Sequence, residues 1–363
     1  MGNAKGKYMQ VSALIIAVVA VQLLTRFTGA TYHLTQLTMS AYYCMVIIGL
    51  CILIGYAGQI SLGHAGFFAI GGYTSAFLTT FDLTPYKGKA LFGFLAKTGI
   101  LSARQDLYGG SLLTVQPWAA CVVAVLLTVL IAYIVGGPVL KLKGHYLAMA
   151  TLGFGIIVYR LVLATTVLGA ADGLSDVPAF TIFPGLQVSG NMPLIVKNYY
   201  IAWALVILGM IILLNLIDSR VGRALRGIHS AEDAAEAMGV NTARYKLNVF
   251  VLSAVYAAVA GVFLTHYNGG IGPSEASIMK SVRYVAIVAV GGMANLWGAL
   301  SMGVLLNYLS LRGYFGSYDD AVFGGILILI MLFAPEGLLR SGVLGDFKRA
   351  FSPEGSTDEG AGE

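Results

Sequence analysis

Long apolar segments alternate with short polar connections along most of the chain. A helix needs about 20 mostly apolar residues to cross a bilayer. Segments of that length predict spans at 11–30, 39–57, 60–80, 117–140, 145–168, 199–217 and 247–268. The stretch 281–312 predicts two short helices, broken near Gly291-Gly292 and Trp297-Gly298, and 321–334 predicts a last span. We therefore expect an all-α fold, a polytopic integral membrane bundle of about eight to ten transmembrane helices.

One polar segment, 218–246, interrupts this pattern and reads DSRVGRALRGIHSAEDAAEAMGVNTARYK. The apolar flanks 199–217 and 247–267 contain no Lys, Arg, Asp or Glu. Charged side chains are costly inside the hydrocarbon layer, so this segment must project into water. Its basic residues predict a cytoplasmic loop, since such loops are enriched in Lys and Arg.

A short helix is predicted inside this loop, over 231–238. Ser230 is an expected N-cap, with Asp233 three residues later. Glu232 and Asp233 fall in the first turn, where acidic groups suit the helix dipole, and Gly239 is placed to end the helix. A helix of about eight residues is marginal alone in water, which favours docking on a partner. The alternative is an ordinary amphipathic loop helix.

Composition and charge agree with a membrane protein. Hydrophobic residues make up 58% of the chain and charged residues 11%, against about 25% charged in soluble domains. Alternation from an inner N-terminus places these basic residues inside: Lys5, Lys7, Lys141, Lys143, those of 218–246, Arg340, Lys348 and Arg349. This direction follows the positive-inside rule. The net charge of +5 indicates contact with anionic lipid headgroups and no nucleic-acid partner.

A second motif, GYAGQISLGHAGFFAIGGY at 55–73, combines glycines with polar groups near membrane depth. Glycine permits close helix packing or a broken helix that lines a watery path. The candidate translocation-path residues are Gln59, Ser61, Gly63, His64 and Gly66. For the glycines, packing and a tight turn are the favoured alternative. For the three polar side chains, path lining and structural hydrogen bonding stay equally open.

At this motif the chain resembles permeases of branched-chain amino acid ABC transporters of the LivM type. The resemblance continues in order through 143–155, then Gly222-Arg223-Ala224-Leu225-Arg226 and Ala234-Ala235-Glu236-Ala237-Met238-Gly239, then the glycine pair at 291–292 and the closing run 332–338. Asp233-Ala234-Ala235 followed by Gly239 also resembles the Glu-Ala-Ala loop of ABC importer permeases.

The resemblance implies a permease subunit that moves small polar solutes across the inner membrane by ATP-driven alternating access. It implies two ABC ATPase subunits, a second related permease and an extracytoplasmic binding protein. We expect one transmembrane permease domain over 1–340 and a disordered tail over 341–363, since the residues from Ser352 lack apolar side chains beyond alanine. The alternation of basic residues predicts that both termini are cytoplasmic. The residues that the resemblance assigns to ATPase coupling are Arg223, Arg226, Glu232, Asp233, Ala234, Ala235, Glu236, Ala237 and Gly239.

We expect no catalytic or metal site and no cofactor bound by this chain. The sequence has no G-x-x-x-x-G-K-[ST] run, the motif that cradles ATP phosphates, so ATP belongs to the partner subunits. No spacing of the three cysteines indicates a metal site. A membrane-embedded enzyme is disfavoured because no catalytic motif is visible.

Departures from the family pattern leave the substrate open. His145 stands where the family usually has Asp, Ile156 where it has Glu, Ala294-Asn295 where it has Gly-Ser, and Ala299 where it has Pro. Urea and aromatic acids remain alternatives to branched-chain amino acids. An ion-coupled secondary transporter is the alternative of another class, although such proteins place ionisable residues along their path.

Two arginines fall within predicted spans. Arg283 lies near the outer end and is expected to snorkel to the interface. Arg160 lies deeper, and its expected role is pairing with Asp172, Asp176 or a carbonyl oxygen.

Overall fold

The computed structural model describes residues 2–86, 100–105, 111–142, 144–183, 185–314 and 316–333. The helices of these ranges are α1 (Gly2–Phe27), α2 (Tyr32–Ala57), α3 (His64–Thr80), α4 (Pro117–Val139), α5 (His145–Ala164), α6 (Ile195–Asp218), α7 (Arg220–Ser230), α8 (Glu232–Ala237), α9 (Thr242–Asn268), α10 (Ile278–Gly291), α11 (Leu296–Leu311) and α12 (Asp319–Phe333). Residues 334–338 of the closing run, the tail 341–363, Lys143 and Arg340 lie outside the described residues.

Within the described ranges, six helical segments are long and apolar enough to cross a membrane: Tyr8–Phe27, Tyr32–Ala57, Pro117–Val139, His145–Ala164, Met192–Asp218 and Thr242–Asn268. The shorter helices α3, α10, α11 and α12 account for the other predicted spans. The predicted span at 60–80 begins later, at His64, because residues 58–63 form a turn in which Gly58 adopts a left-handed φ of 67°.

Helix α2 is the centre of the bundle, with 89% of its apolar window buried. Helices α6, α9 and α11 pack around it, and α3 packs along α9. Helices α1 and α4 lie at the periphery, with 22% and 28% of their windows buried. Their exposed apolar side chains are the surface expected to face lipid, because lipid tails are as apolar as these residues.

Short antiparallel strand pairs occur in addition to the helices. The apolar pattern did not predict these strands. Strand β1 (Leu101–Gln105) pairs with β2 (Ser111–Val115), and β4 (Phe180–Phe183) pairs with β5 (Leu186–Val188). Strand β3 (Leu174–Ser175) pairs with β6 (Gly270–Ile271). The connections α3–α4, α5–α6 and α9–α10 thus meet at one end of the bundle, here called the hairpin end. Helices α7 and α8 lie at the opposite end, the α8 end.

The predicted break in 281–312 is present at residues 292–295, between α10 and α11. Gly298 lies inside α11, where a Cβ would come within 1.8 Å of the Gly291 carbonyl oxygen. The Asn295 side chain accepts a hydrogen bond of 3.1 Å from the Gly298 N–H and caps α11. The glycines therefore permit a tight antiparallel turn, and the Asn295 departure supplies its cap.

Candidate functional site

Helix α7 begins at a cap that follows directly from α6. The Ser219 hydroxyl accepts hydrogen bonds from the Val221 and Gly222 N–H groups at 3.1 and 3.4 Å. Helix α7 then buries Gly222, Leu225 and Ile228 against the bundle. This one-sided burial seats α7 across the ends of α2 and α6 and leaves its charged face exposed.

Helix α8 is shorter than predicted and begins differently. The structure places Ser230 as the last residue of α7, where its hydroxyl donates to the Arg226 carbonyl oxygen at 3.0 Å. The predicted Ser230 cap is therefore wrong, because Ala231 forms an extended link and stands at the N-cap position of α8. Gly239 follows α8 with a φ of 82°, which agrees with its predicted terminating role.

Two side-chain contacts tie α8 to the start of α9. Glu232, the first residue of α8, pairs with Lys246 at 2.5 Å. Glu236, one turn later, accepts a hydrogen bond of 3.0 Å from the Thr242 hydroxyl. An isolated helix of this length would be marginal in water, so these contacts explain how a six-residue helix keeps one position.

The outer faces of α7 and α8 enclose a shallow concave surface of about 310 Å³. Its lining residues are Arg223, Ala224, Gly227, Ala231, Ala234, Ala235, Met238 and Val240. Met238 is 84% exposed, although a methionine side chain gains free energy by leaving water. Asp233 and Ala237 are exposed beside the concave surface. The arrangement suits a partner that inserts an apolar element between the two helices.

The two predicted coupling arginines also make contacts within the loop. Arg223 donates to the Asp218 carbonyl oxygen, and Arg226 donates to the Ile217 carbonyl oxygen, both at 3.3 Å. These carbonyls lie at the end of α6, where cations satisfy the terminal acceptors. Both arginines are exposed, so their charge remains available to a partner.

The structure separates the predicted path residues into two environments. Ser61 and His64 are buried in a hydrogen-bonded group, with His64 Nδ1 at 3.0 Å from Ser61 Oγ and Nε2 at 2.7 Å from Ser253 Oγ. Gln59 is also buried, at 3% exposure, but its amide oxygen and nitrogen have no partner among the described residues. Gln59 therefore differs from the other two, whose contacts are those of structural hydrogen bonding.

Gly63 and Gly66 lie where α3 meets α5. A Cβ at Gly63 would fall 2.7 Å from the Thr151 carbonyl oxygen, and a Cβ at Gly66 would fall 3.3 Å from the Phe154 ring. The absence of side chains therefore permits this close helix approach. For these two glycines, the contacts favour helix packing over lining of a translocation path, the two interpretations that the sequence allowed.

Gln59 borders a cavity of about 210 Å³ at the α8 end, here called the Gln59 cavity. Its lining comes from the α2–α3 turn, the α4–α5 turn, the end of α7 and the Glu232–Lys246 pair. The cavity thus connects the glycine-rich motif with the start of α8.

Half-buried charges at the hairpin end, together with the exposed Asp320, were not predicted as a group. Lys280 pairs with Glu275 at 3.1 Å and donates to the Tyr43 hydroxyl at 3.0 Å. Arg283 pairs with Asp320 at 3.1 Å and with Asp319 at 3.5 Å. The expected snorkelling of Arg283 is therefore replaced by ion pairs that join α10 to α12. The only signal in the sequence was the basic pair 280 and 283 beside an apolar segment.

Arg160 faces away from the bundle. Its side chain lies on the exposed face of α5, so it does not provide an inward charge for a solute.

Comparison with known proteins identifies the kind of molecule that carries these features. A family model for the permease component of branched-chain amino acid transport systems matches residues 32–331. The chain belongs to this family. This permease is a multi-pass membrane protein and a subunit of an ABC importer, and α8 corresponds in position to the loop that the sequence resemblance singled out.

Individual relatives cover most of the permease. The LivM permease protein of the high-affinity branched-chain amino acid transport system of Salmonella typhimurium is 30% identical over 323 residues, which is 83% of this chain and 68% of that protein. The LivH permease protein of Escherichia coli is 28% identical over 321 residues, 85% of this chain and 96% of that protein. A probable LivM protein of Methanocaldococcus jannaschii is 23% identical over 345 residues. No solved structure matches the chain.

Proposed function

We propose that this permease carries branched-chain amino acids as the transported solute of its ABC importer. The support comes from relatives named for high-affinity branched-chain amino acid transport, which match 83–93% of the chain. The permease provides the path, and ATP is hydrolysed on partner subunits. Alternating access requires that its two states differ in their contacts with those ATPases, since equal contacts would shift nothing.

The observation that carries the coupling proposal is the concave surface between α7 and α8. Its small alanine side chains and exposed Met238 suit a close apolar contact. The Glu232 and Glu236 ties to α9 would transmit a push on α8 into a bundle helix. We assign ATPase docking to this surface, with Arg223, Arg226 and Asp233 supplying charge around it.

The partners follow from the two ends of the bundle. The α8 end faces the cytoplasm and the ATPases, because it carries the basic loop 218–246. The hairpin end faces outward, where the strand pairs offer a surface to an extracytoplasmic binding protein. The complete importer contains two ATPase subunits and a second related permease, with both termini of this chain cytoplasmic.

Ala235→Glu tests the docking assignment. Ala235 lines the concave surface beside Ala231, Ala234 and Met238, so a docked partner would press the new carboxylate into an apolar contact and remove it from water, at a cost of several kcal/mol. Coupling between sites is typically about 1–3 kcal/mol, so the variant should lose ATPase association and solute-stimulated ATP hydrolysis while still inserting in the membrane. The matched control is Ala171→Glu, because Ala171 is an exposed alanine at the hairpin end. This variant should associate normally with the ATPase. Wild-type association and uptake in Ala235→Glu would contradict the assignment.

Uptake by the reconstituted complex tests the solute. Proteoliposomes with the binding protein and ATP should accumulate leucine, isoleucine and valine, and should not accumulate urea or benzoate. Accumulation of urea or benzoate alone would replace the proposed solute and leave the docking assignment in place.

A further inference from the structure

The Gln59 cavity contains the chemical groups of a solute-binding site. Its polar lining includes the Gln59 amide and the charged pair Glu232–Lys246. Its apolar lining includes Ala57, Leu147, Ile228 and Leu142. The accessible lining is thus mainly polar, with a smaller aliphatic surface beside it.

The unpartnered amide of Gln59 is the first indication of a ligand. Both polar atoms of this side chain are buried, yet neither has a hydrogen-bond partner among the described residues. An amide without partners costs free energy when it leaves water, and most buried polar side chains have at least one partner. The backbone N–H of Gln59 is itself satisfied, since it donates to the Leu53 carbonyl oxygen at 3.1 Å. Gln59 is one of the residues that line the cavity, so its buried amide is the group that a ligand reaching this side chain would satisfy.

The charged pair is the second indication. Lys246 is 10% exposed and Glu232 is 27% exposed at their side chains. Because the two groups already neutralise each other at 2.5 Å, a ligand that enters between them must replace both halves of the pair. A ligand with a single charge would leave Glu232 or Lys246 without a counter-charge, which is costly at this degree of burial. A ligand with one positive and one negative group would satisfy both. The pair therefore selects a zwitterion.

Size and lining narrow the ligand class further. The cavity volume of about 210 Å³ is below the roughly 300–1,000 Å³ of sites for drug-sized ligands. It suits a small, mainly polar solute, and the smaller aliphatic surface leaves room for one short hydrocarbon side chain. We propose that the Gln59 cavity binds a free aliphatic α-amino acid from the α8 end, with the ammonium at Glu232, the carboxylate at Lys246 and a hydrogen bond from Gln59.

Occupancy of this site acts on α8. Glu232 is the first residue of α8, and its pairing with Lys246 helps to hold α8 against α9. An amino acid inserted at this pair changes that contact and thereby the position of the ATPase-docking surface. Amino acid that has accumulated on the α8 side would therefore slow ATP hydrolysis by the partner subunits. This regulatory part of the inference rests on the proposed function. Linkage then requires that ATPase binding change the amino-acid affinity by the same factor.

Binding of radiolabelled leucine to the complete complex, without binding protein or ATP, tests the site directly. Lys246→Met removes the partner of the carboxylate and should weaken binding about tenfold or more, the usual effect of losing a charge-assisted hydrogen bond. Leu147→Phe fills the cavity and keeps the ion pair, so it should weaken binding even if Lys246→Met disturbs assembly. The matched controls are Lys197→Met at the hairpin end and Leu126→Phe on the exposed face of α4. Both variants should bind leucine with wild-type affinity.

The chemistry of the probe provides a second arm. Isopentylamine lacks the carboxylate and 4-methylpentanoate lacks the ammonium, so both should bind at least about tenfold more weakly than leucine. In proteoliposomes, leucine on the α8 side should lower ATP hydrolysis in the wild type and lower it less in Leu147→Phe, each compared with the same variant without leucine.

The outcomes separate this inference from the proposed function. Leucine binding that is equal in wild type, Lys246→Met and Leu147→Phe would overturn the site. Leucine uptake by a complex that binds no leucine at the α8 end would also overturn it and would leave the proposed solute intact. A complex that binds leucine at this cavity but transports only urea would support the site and refute the proposed solute.

Discussion

At the scale of single residues, glycines determine how closely the helices approach. A Cβ at Gly71 would lie 2.4 Å from the Ala258 carbonyl oxygen, and a Cβ at Gly261 would lie 2.1 Å from the Phe68 carbonyl oxygen. Helices α3 and α9 therefore pack backbone against backbone along their crossing. Small residues are the usual means of such packing in membranes, where helices gain little by leaving an apolar solvent.

Gly71→Ala should weaken this crossing. The added methyl group meets backbone atoms that cannot turn aside, and overpacking of this kind costs about 1–3 kcal/mol. The midpoint of thermal unfolding in detergent should therefore fall. Gly153→Ala is the matched control, because a Cβ at Gly153 meets no atom within 4 Å, and its midpoint should stay near the wild-type value. Equal midpoints for the two variants would show that the α3–α9 crossing tolerates more bulk than its geometry indicates.

At the scale of elements, the apolar pattern predicted the long helices well because their burial is continuous along the sequence. The predicted 117–140 is observed as Pro117–Val139, and the predicted 247–268 ends at the observed Asn268. The short strands were not predicted because a strand of two to five residues is too short to show the alternation of apolar and polar positions that identifies a strand. Strand β3 pairs with β6, almost 100 residues later, so its partner was not visible in the local sequence.

The same contrast between local and distant contacts applies to the candidate site. The position of α8 and its terminating Gly239 followed from local signals. The Ser230 cap was mistaken because the same hydroxyl also suits the last turn of α7, where it bonds to the Arg226 carbonyl oxygen. The Gln59 cavity needs Lys246, and local sequence carries no sign that these two residues meet.

Thr242→Val tests how α8 keeps its position. The substitution removes the Thr242–Glu236 hydrogen bond and leaves the Glu232–Lys246 pair. One such bond contributes about 1 kcal/mol, so backbone amides of α8 should exchange with solvent roughly fivefold faster. Hydrogen exchange followed by mass spectrometry measures this change. Thr165→Val, which removes an exposed hydroxyl at the hairpin end, should leave α8 exchange unaltered, and unchanged exchange in Thr242→Val would mean that α8 is held by its other contacts.

At the scale of the whole molecule, the two ends differ in what they offer to partners. The hairpin end joins strand pairs from three connections and contains the ion pairs of Lys280 and Arg283. The α8 end offers the concave surface and the Gln59 cavity. The buried length of α2 connects these ends, so a displacement of α8 and α9 has a continuous packed route to the connections at the hairpin end. A permease that alternates between two openings needs such a route, because packed elements transmit displacement.

Cysteine labelling tests the orientation of these ends. Ser230 is exposed at the α8 end, and Met192 is 80% exposed at the hairpin end. In a background with Cys44, Cys51 and Cys121 replaced by alanine, an impermeant thiol reagent added to intact cells should label Met192→Cys and spare Ser230→Cys. Inside-out vesicles should reverse this pattern, because loops rich in Lys and Arg are enriched on the cytoplasmic side of membranes. Labelling of Ser230→Cys in intact cells would show that the bundle has the opposite orientation. The concave surface would then lie outside the cell, where no ATPase could reach it.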